Sequence, residues 1–376
     1  MTSRIYLDNN ATTVILPEVA DAMTAAWQTG FANPGSQHSY GRDARRILED
    51  SRESIATILG ADASEVIFTS GGTESINSAI RGLTLGRKGV IALTAGEHPA
   101  TTAACETARQ HGLKLHNMTV DSNGLLDGSQ FAALPWQDLK LVCVILAHNE
   151  TGVIQDLSEL SDLCEQHRVP LLIDAVQAVG KIPVHFERLK ATALAFGAHK
   201  FHGPRGIGGL LLRRGVSLPP LLEGGHQEAG RRAGTEPVPL IAGMAKALEC
   251  FHNNPQDRDE KLTALRNQLQ SELQANCAPV VIHGENAPRL PNTLSIAFPG
   301  VDGEAMLVNL DLAGIACSLG STCASGSAEP APSLIAMGID PDVCRSSVRF
   351  SLSCQTTADE IHEAASRIAS VVERLR

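Results

Sequence analysis

Four segments of this sequence place chemistry-bearing residues directly after a short apolar run, where a strand would deliver them to one edge of a sheet. Val66–Phe68 leads into Thr69-Ser70-Gly71-Gly72-Thr73-Glu74-Ser75 and then into a helical pattern. Small residues there let backbone N–H groups and a hydroxyl meet an anion at a helix N-terminus, which is a phosphate cradle by geometry. The same residues also suit a plain turn with an N-cap, and they carry neither the lysine of a P-loop nor the three-glycine dinucleotide fingerprint. Val169–Ile173 ends in Asp174, with Gln177 following. A carboxylate at the end of a buried strand is costly without a cationic partner, although Asp in that position also caps helices. Ala191–Phe196 ends in Gly197-Ala198-His199-Lys200-Phe201-His202-Gly203, so that a lysine follows a buried strand inside a glycine-containing turn. Desolvation of such an amine makes it a nucleophile able to form an imine. His98, in Ala95-Gly96-Glu97-His98-Pro99, again follows a strand and suits either a proton shuttle stacked on a planar ligand or a satisfied loop position.

The elements that must hold these residues alternate. Strand-like runs at Glu65–Phe68, Gly89–Leu93, Lys114–Val120, Lys140–Leu146, Val169–Ile173, Ala191–Ala195 and Ile207–Leu212 are interleaved with helical spacing at Ser75–Leu83, Pro99–His111 and Leu157–His167. Such alternation reads as βαβ units forming a mainly parallel sheet covered by helices, an α/β fold whose ligands collect at the carboxyl ends of the strands. The polar stretch Asn253-Asn254-Pro255-Gln256-Asp257 suggests a boundary, followed by a long amphipathic helix to about Leu273. Beyond it, strands at Asn292–Phe298 and Ser346–Leu352, a helix from Gly303 and a last helix Thr357–Leu375 suit a smaller α+β unit.

Composition narrows the function. The chain has 376 residues, 43% of them apolar, and a formal net charge of −10, so it has ample material for a core and no basic face for a nucleic-acid partner. The Arg42 to Arg46 cluster reads as a solvated helix face. No apolar run at the start suits an export signal, and the longest, Leu141–Ala147, is far too short to span a bilayer, so a cytoplasmic protein without membrane insertion is expected. Nine dispersed cysteines with no Cys-x-x-Cys pair fit neither a disulfide framework nor a zinc knuckle; no metal is expected, and a reducing compartment is.

A phosphate cradle, a strand-end carboxylate and a strand-end amine are together what pyridoxal 5'-phosphate requires. From Tyr6-Leu7-Asp8-Asn9-Asn10-Ala11-Thr12-Thr13 onward the chain resembles cysteine desulfurases of the NifS/IscS type, within the class V aminotransferase family of fold-type I enzymes. The resemblance rests on Asn33-Pro34 with His38, Gly72-Thr73-Glu74-Ser75, Glu97-His98, Asn149-Glu150-Thr151-Gly152, Asp174 with Gln177, His199-Lys200, Gly234-Thr235, Val348-Arg349-Phe350-Ser351 and the run Gly320-Ser321-Thr322-Cys323-Ala324-Ser325-Gly326-Ser327.

This resemblance implies a large cofactor-binding domain over residues 15–255 and a small domain made of 1–14 with 256–376, which carries the Cys323 loop. It implies that Lys200 holds the cofactor as an imine and then acts as base at the substrate Cα, that Asp174 pairs with the ring nitrogen, and that His98 stacks on the ring and shuttles protons. It further implies Gln177 and Asn149 near the phenolic oxygen, Gly72, Thr73, His199 and Thr235 at the phosphate, and Arg349 with Asn149 and Asn33 around the carboxylate of L-cysteine. Thr235 would come from a second subunit of a homodimer. Cys323 would attack the substrate sulfur and carry it as a persulfide to an acceptor protein, an iron–sulfur scaffold among the candidates, leaving L-alanine. Its run of small and polar residues suits a mobile loop. A selenocysteine lyase or an aminotransferase on the same fold is the alternative, and a catalytically silent binding subunit is a further one. Gly197, Ala233 and Ser353-Cys354 depart from the family pattern, the first by lacking a hydroxyl directed at phosphate.

Overall fold

The computed structural model describes residues 4–319 and 330–376. At its centre is a seven-stranded sheet in the order Val66–Thr69, Gly208–Leu212, Ala193–Gly197, Leu171–Asp174, Leu139–Ile145, Val90–Thr94 and Lys114–Met118. Only Gly208–Leu212 runs against its neighbours; the other pairings are parallel. The inner strands are apolar at successive positions because both faces are covered. On one face Phe68, Val144, Ile173 and Phe196 pack with Leu48 and Ile55 of the helix Ser39–Leu59 and with Met244 and Leu248 of the helix Val238–His252. On the other, Ile67, Leu93, Cys143 and Leu172 meet Ile76 and Ile80 of Gly72–Thr84 and Cys105 of Pro99–Gln110.

A separate apolar cluster unites Ile5 and Leu7 with Leu265 and Leu269 of the helix Pro255–Asn276, with Leu294, Ile296, Val348 and Phe350 of a small antiparallel sheet, and with Ile361 and Ile368 of the helix Ala358–Leu375. The strand Ile5–Tyr6 pairs in parallel with Ile315–Ala316, so the start of the chain is built into this second cluster.

Three differences from the sequence expectations bear on the site. The first covering helix starts at Gly72 rather than Ser75, which puts Gly72 and Thr73 in its first turn. The strand expected over Val169–Ile173 is Leu171–Asp174, and that expected over Ala191–Ala195 is Ala193–Gly197. Their limits are set by pairing, Leu172 with Ala193 and Asp174 with Ala195, which a single-strand pattern does not contain. The polar stretch 253–257 is mostly helix: Pro255 opens Pro255–Asn276, a position where its missing N–H costs nothing. The Arg42, Arg45 and Arg46 side chains lie on the exposed face of Ser39–Leu59.

Candidate active site

The carboxyl ends of the parallel strands open into a cavity of about 390 Å³. Gly72, Thr73, His98, Asn149, Asp174, Gln177, His199, Lys200 and Arg349 line it together, though they span most of the chain. Asn33 and Thr235 are not on its wall. The Asn33 Oδ1 accepts the Gly35 N–H at 2.8 Å, and Thr235 is exposed. Cys323 lies outside the described residues.

Asp174 closes its strand with 4% of its surface exposed, and its Oδ1 accepts the Val176 N–H at 2.9 Å. Burial pushes the carboxyl up to about 6, against that bond and the Lys200 charge. On the neighbouring strand the chain turns through Ala198–Lys200, and Lys200 Nζ donates to the main-chain oxygens of Asn10 at 2.6 Å and Ala11 at 2.9 Å. Burial first, and the Arg349 cation second, bring this amine down to about 8 while Asp8, Asp174 and Glu150 hold it up. A fraction of it is therefore neutral near pH 7.

His98 caps the helix Pro99–Gln110, its Nδ1 accepting the Ala100 N–H at 3.1 Å. Burial, then the Lys200 and His148 charges, lower it to about 4, so the ring is neutral with its proton on Nε2. His199 is lowered to about 4 for the same leading reason, and its Nδ1 lies 3.3 Å from the Thr12 hydroxyl. Arg349, in the strand Ser347–Ser351, reaches Asn149 O at 3.0 Å, Glu150 Oε1 at 3.3 Å and Asp8 Oδ1 at 3.0 Å.

The start of Gly72–Thr84 is built to expose backbone. Ser75 is fully buried, with its hydroxyl 2.8 Å from that of Thr69 and 3.0 Å from Gly209 O, which pins the first turn to the sheet. A Cβ at Gly72 would lie 2.5 Å from Val176 Cγ2, so a side chain there would have to displace Val176, and the first-turn N–H groups, which have no partner inside the helix, stand open at the cavity. A hydroxyl at Thr73 sits beside them. A phosphorylated pyridine aldehyde fits this donor set: an anion cradle, a buried carboxylate for a ring N–H, an amine of lowered pKa and a neutral imidazole.

Sequence reasoning missed Asn10. It is 1% exposed, its Nδ2 donates to Thr293 Oγ1 at 2.9 Å, its N–H to Ser351 Oγ at 2.8 Å, and its carbonyl receives both Lys200 and Gln177. The available signal was the polar run Asp8-Asn9-Asn10 directly after the apolar Leu7.

Residues 5–363 match the aminotransferase class-V family. The chain is 41% identical to a protein of Nostoc sp. named cysteine desulfurase, an alignment that covers all of this chain and 94% of that one. It is 40% identical to the cysteine desulfurase NifS of Azotobacter vinelandii, over 99% and 93% of the two chains. A solved structure titled NifS-like protein superposes with a TM-score of 0.92 at 33% identity, covering 99% of this chain and 100% of that one.

Proposed function

The chain belongs to the aminotransferase class-V family, and within it we propose that it is a cysteine desulfurase that converts L-cysteine to L-alanine and carries the sulfur as a persulfide on Cys323. The observation that carries this reading is the meeting of Asp174 and Lys200, from the ends of paired strands, at a cavity that also holds a helix N-terminus. In this reading Lys200 would hold the aldehyde of pyridoxal 5'-phosphate and Asp174 its ring nitrogen. His98 would cover the ring face, Gln177 and Asn149 would flank the phenolic oxygen, and Gly72, Thr73 and His199 would take the phosphate. Bound there, the cofactor supplies an electron sink for a bond broken at the substrate's α carbon.

The chain's own groups do the rest. Arg349 orients the substrate carboxylate with its planar fork, aided by Asn149, the incoming carboxylate competing with Asp8 and Glu150 for that fork. The Lys200 amine takes the proton from the α carbon, a role suited to its lowered pKa. His98, neutral and protonated on Nε2, passes a proton within the cavity. The Cys323 thiolate attacks the substrate sulfur: the carbon–sulfur bond breaks, a sulfur–sulfur bond forms, and the three-carbon remainder takes up a proton and leaves as alanine. Cysteine plus thiol thus yields alanine plus persulfide, with atoms and electrons balanced. The persulfide then passes to a sulfur-acceptor protein that feeds iron–sulfur or other thio-cofactor assembly.

Thr235 is exposed and off its own chain's cavity, which suits a place at the phosphate of a second copy in a homodimer. No helix among the described residues is long and apolar enough to cross a membrane.

The decisive experiment supplies the purified protein with pyridoxal 5'-phosphate and L-cysteine labelled at sulfur. Alanine should form, and reducible label should map to the Cys323 peptide. Alanine formation that is unchanged in Cys323→Ser overturns the assignment of that thiol, and transfer of the amino group without alanine points to an aminotransferase.

A further inference from the structure

Lys181 is a lysine with 8% of its surface exposed, and the chemistry above leaves it without a role. Its Nζ lies 2.5 Å from Gln177 Oε1 and 2.7 Å from Asn10 Oδ1. Gln177, 3% exposed and on the cavity wall, donates through Nε2 to Asn10 O at 2.9 Å. A carboxamide has an acceptor end and a donor end of nearly the same shape, so a lone glutamine can present either one to a ligand. An amine on a lysine stem has N–H groups to give in either protonation state, and two acceptors face this one. Gln177 Oε1 is therefore drawn to Lys181, and the NH₂ end is left to donate. One of its two N–H groups goes to Asn10 O, and among the described residues no acceptor takes the other.

We propose that Lys181 is a positioning residue of the cavity: it fixes the flip of the Gln177 carboxamide so that an N–H, and not a carbonyl, faces the bound group, selecting a ligand with an anionic oxygen at that place. This rests on the cofactor reading above, in which the phenolic oxygen of pyridoxal 5'-phosphate is that oxygen. A methionine at 181 keeps the stem volume and removes the donor. Asn10 Oδ1 then retains Asn292 Nδ2 at 3.2 Å, whereas Gln177 Oε1 has no other partner among the described residues and the amide is free to turn.

The test reads the visible band of the protein loaded with pyridoxal 5'-phosphate across pH, without turnover. A donor on the phenolic oxygen stabilises its anionic form and weakens its hold on the neighbouring imine proton, so losing the donor moves the midpoint of the band change to higher pH, by about one unit for one hydrogen bond to a charged group. Lys181→Met and Gln177→Met should each give that upward shift, and Lys181→Met should add nothing in the Gln177→Met background. Asp174, His98, His199, Lys200, Glu150 and Arg349, the other titratable and charged groups at the cavity, are unchanged throughout. Gln177→Glu, which presents only acceptors while keeping Lys181, should also shift the midpoint upward, and it carries the test if Lys181→Met does not fold. An unchanged midpoint in Lys181→Met or in Gln177→Glu, or an equal shift from Lys181→Met with and without Gln177, overturns the proposal. A wild-type chain that takes up no cofactor into a lysine-bound visible band overturns the cofactor reading instead.

Discussion

Lys200 Nζ donates to the main-chain oxygen of Asn10 at 2.6 Å, so the amine at the end of a central strand is held by the segment that opens the chain. Asn10 in turn is bonded to Thr293 and Ser351 of the small sheet. The candidate nucleophile thus sits where the two parts of the molecule meet, and its electrostatics draw on both: Asp174 from one side, Asp8 and Arg349 from the other.

The first prediction follows from that shared environment. Burial and then Arg349 lower Lys200 from 10.5 to about 8. The rate at which the apo-protein takes up pyridoxal 5'-phosphate, followed by absorbance, should rise toward pH 8 and level off above it. An ordinary lysine, titrating near ~10.4, would still be accelerating at pH ~9.5, and that outcome would count against the assignment. Between the lowered and the ordinary value the unfolded chain binds the extra proton, so this group's contribution moves in favour of the fold as pH rises through that window. Arg349→Met, which removes one lowering charge, should move the midpoint upward.

A second prediction concerns the support of the anion cradle. Arg52 makes a bidentate pair with Glu228 at 2.8 and 2.9 Å and also donates to Val66 O at 2.9 Å, while Glu228 accepts the Phe68 N–H at 3.0 Å. Both side chains are buried, and the pair ties the strand that leads into Gly71-Gly72 to the segment that leads to Thr235. Arg52→Met leaves a buried carboxylate without its cation and should cost about 3–5 kcal/mol in denaturant unfolding. Adding Glu228→Gln should recover part of it; additive losses would mean the two residues act separately.

Asp174 and Lys200 were legible in the sequence because a polar residue after a buried apolar run marks a strand end without any knowledge of neighbours. His98 and Gly72-Thr73 were legible for the same reason, as helix starts following strands. Asn10 was not, because its partners lie at 149, 177, 181, 200, 292, 293 and 351, and the polar run after Leu7 does not tell which of its residues bonds to such distant groups. Strand limits were off by one or two residues where cross-strand register decided them. The helix Ser39–Leu59 showed only as the solvated arginines of its outer face, and the apolar spacing of Leu48, Ile55 and Leu59 on its buried face went unread.

A third prediction separates desulfuration from other chemistry on the same fold. Cys323→Ser should leave uptake of pyridoxal 5'-phosphate and its visible band intact, because none of the residues lining the described cavity is altered. Sulfide release from L-cysteine in the presence of a reductant should fall by roughly three orders of magnitude, the scale of losing an essential nucleophile. An aminotransferase would keep its turnover in this variant, and sulfide release at the wild-type rate would move the thiol role to another cysteine.

The last prediction turns on Gly197, which closes its strand directly before the turn that carries His199 and Lys200 to the cavity. Its backbone is extended, with φ −141° and ψ 127°, so a side chain introduces no strain. A Cβ there would sit 3.4 Å from the Gly72 N and 3.8 Å from His199 Cδ2, in ordinary contact with the first turn that forms the cradle. The hydroxyl of Gly197→Ser would therefore stand beside the N–H groups proposed to take the phosphate and add one charge-assisted hydrogen bond, about 1.5 kcal/mol, or roughly a tenfold lower Kd for pyridoxal 5'-phosphate. Gly197→Ala is the control: it fills the same space and restricts the unfolded chain in the same way, yet offers no donor. Fluorescence titration of the three apo-proteins should rank serine tighter than alanine, with alanine close to the parent. Equal affinities for serine and alanine would mean that position 197 does not face the phosphate, and the cradle at Gly72 would then have to serve a different anion.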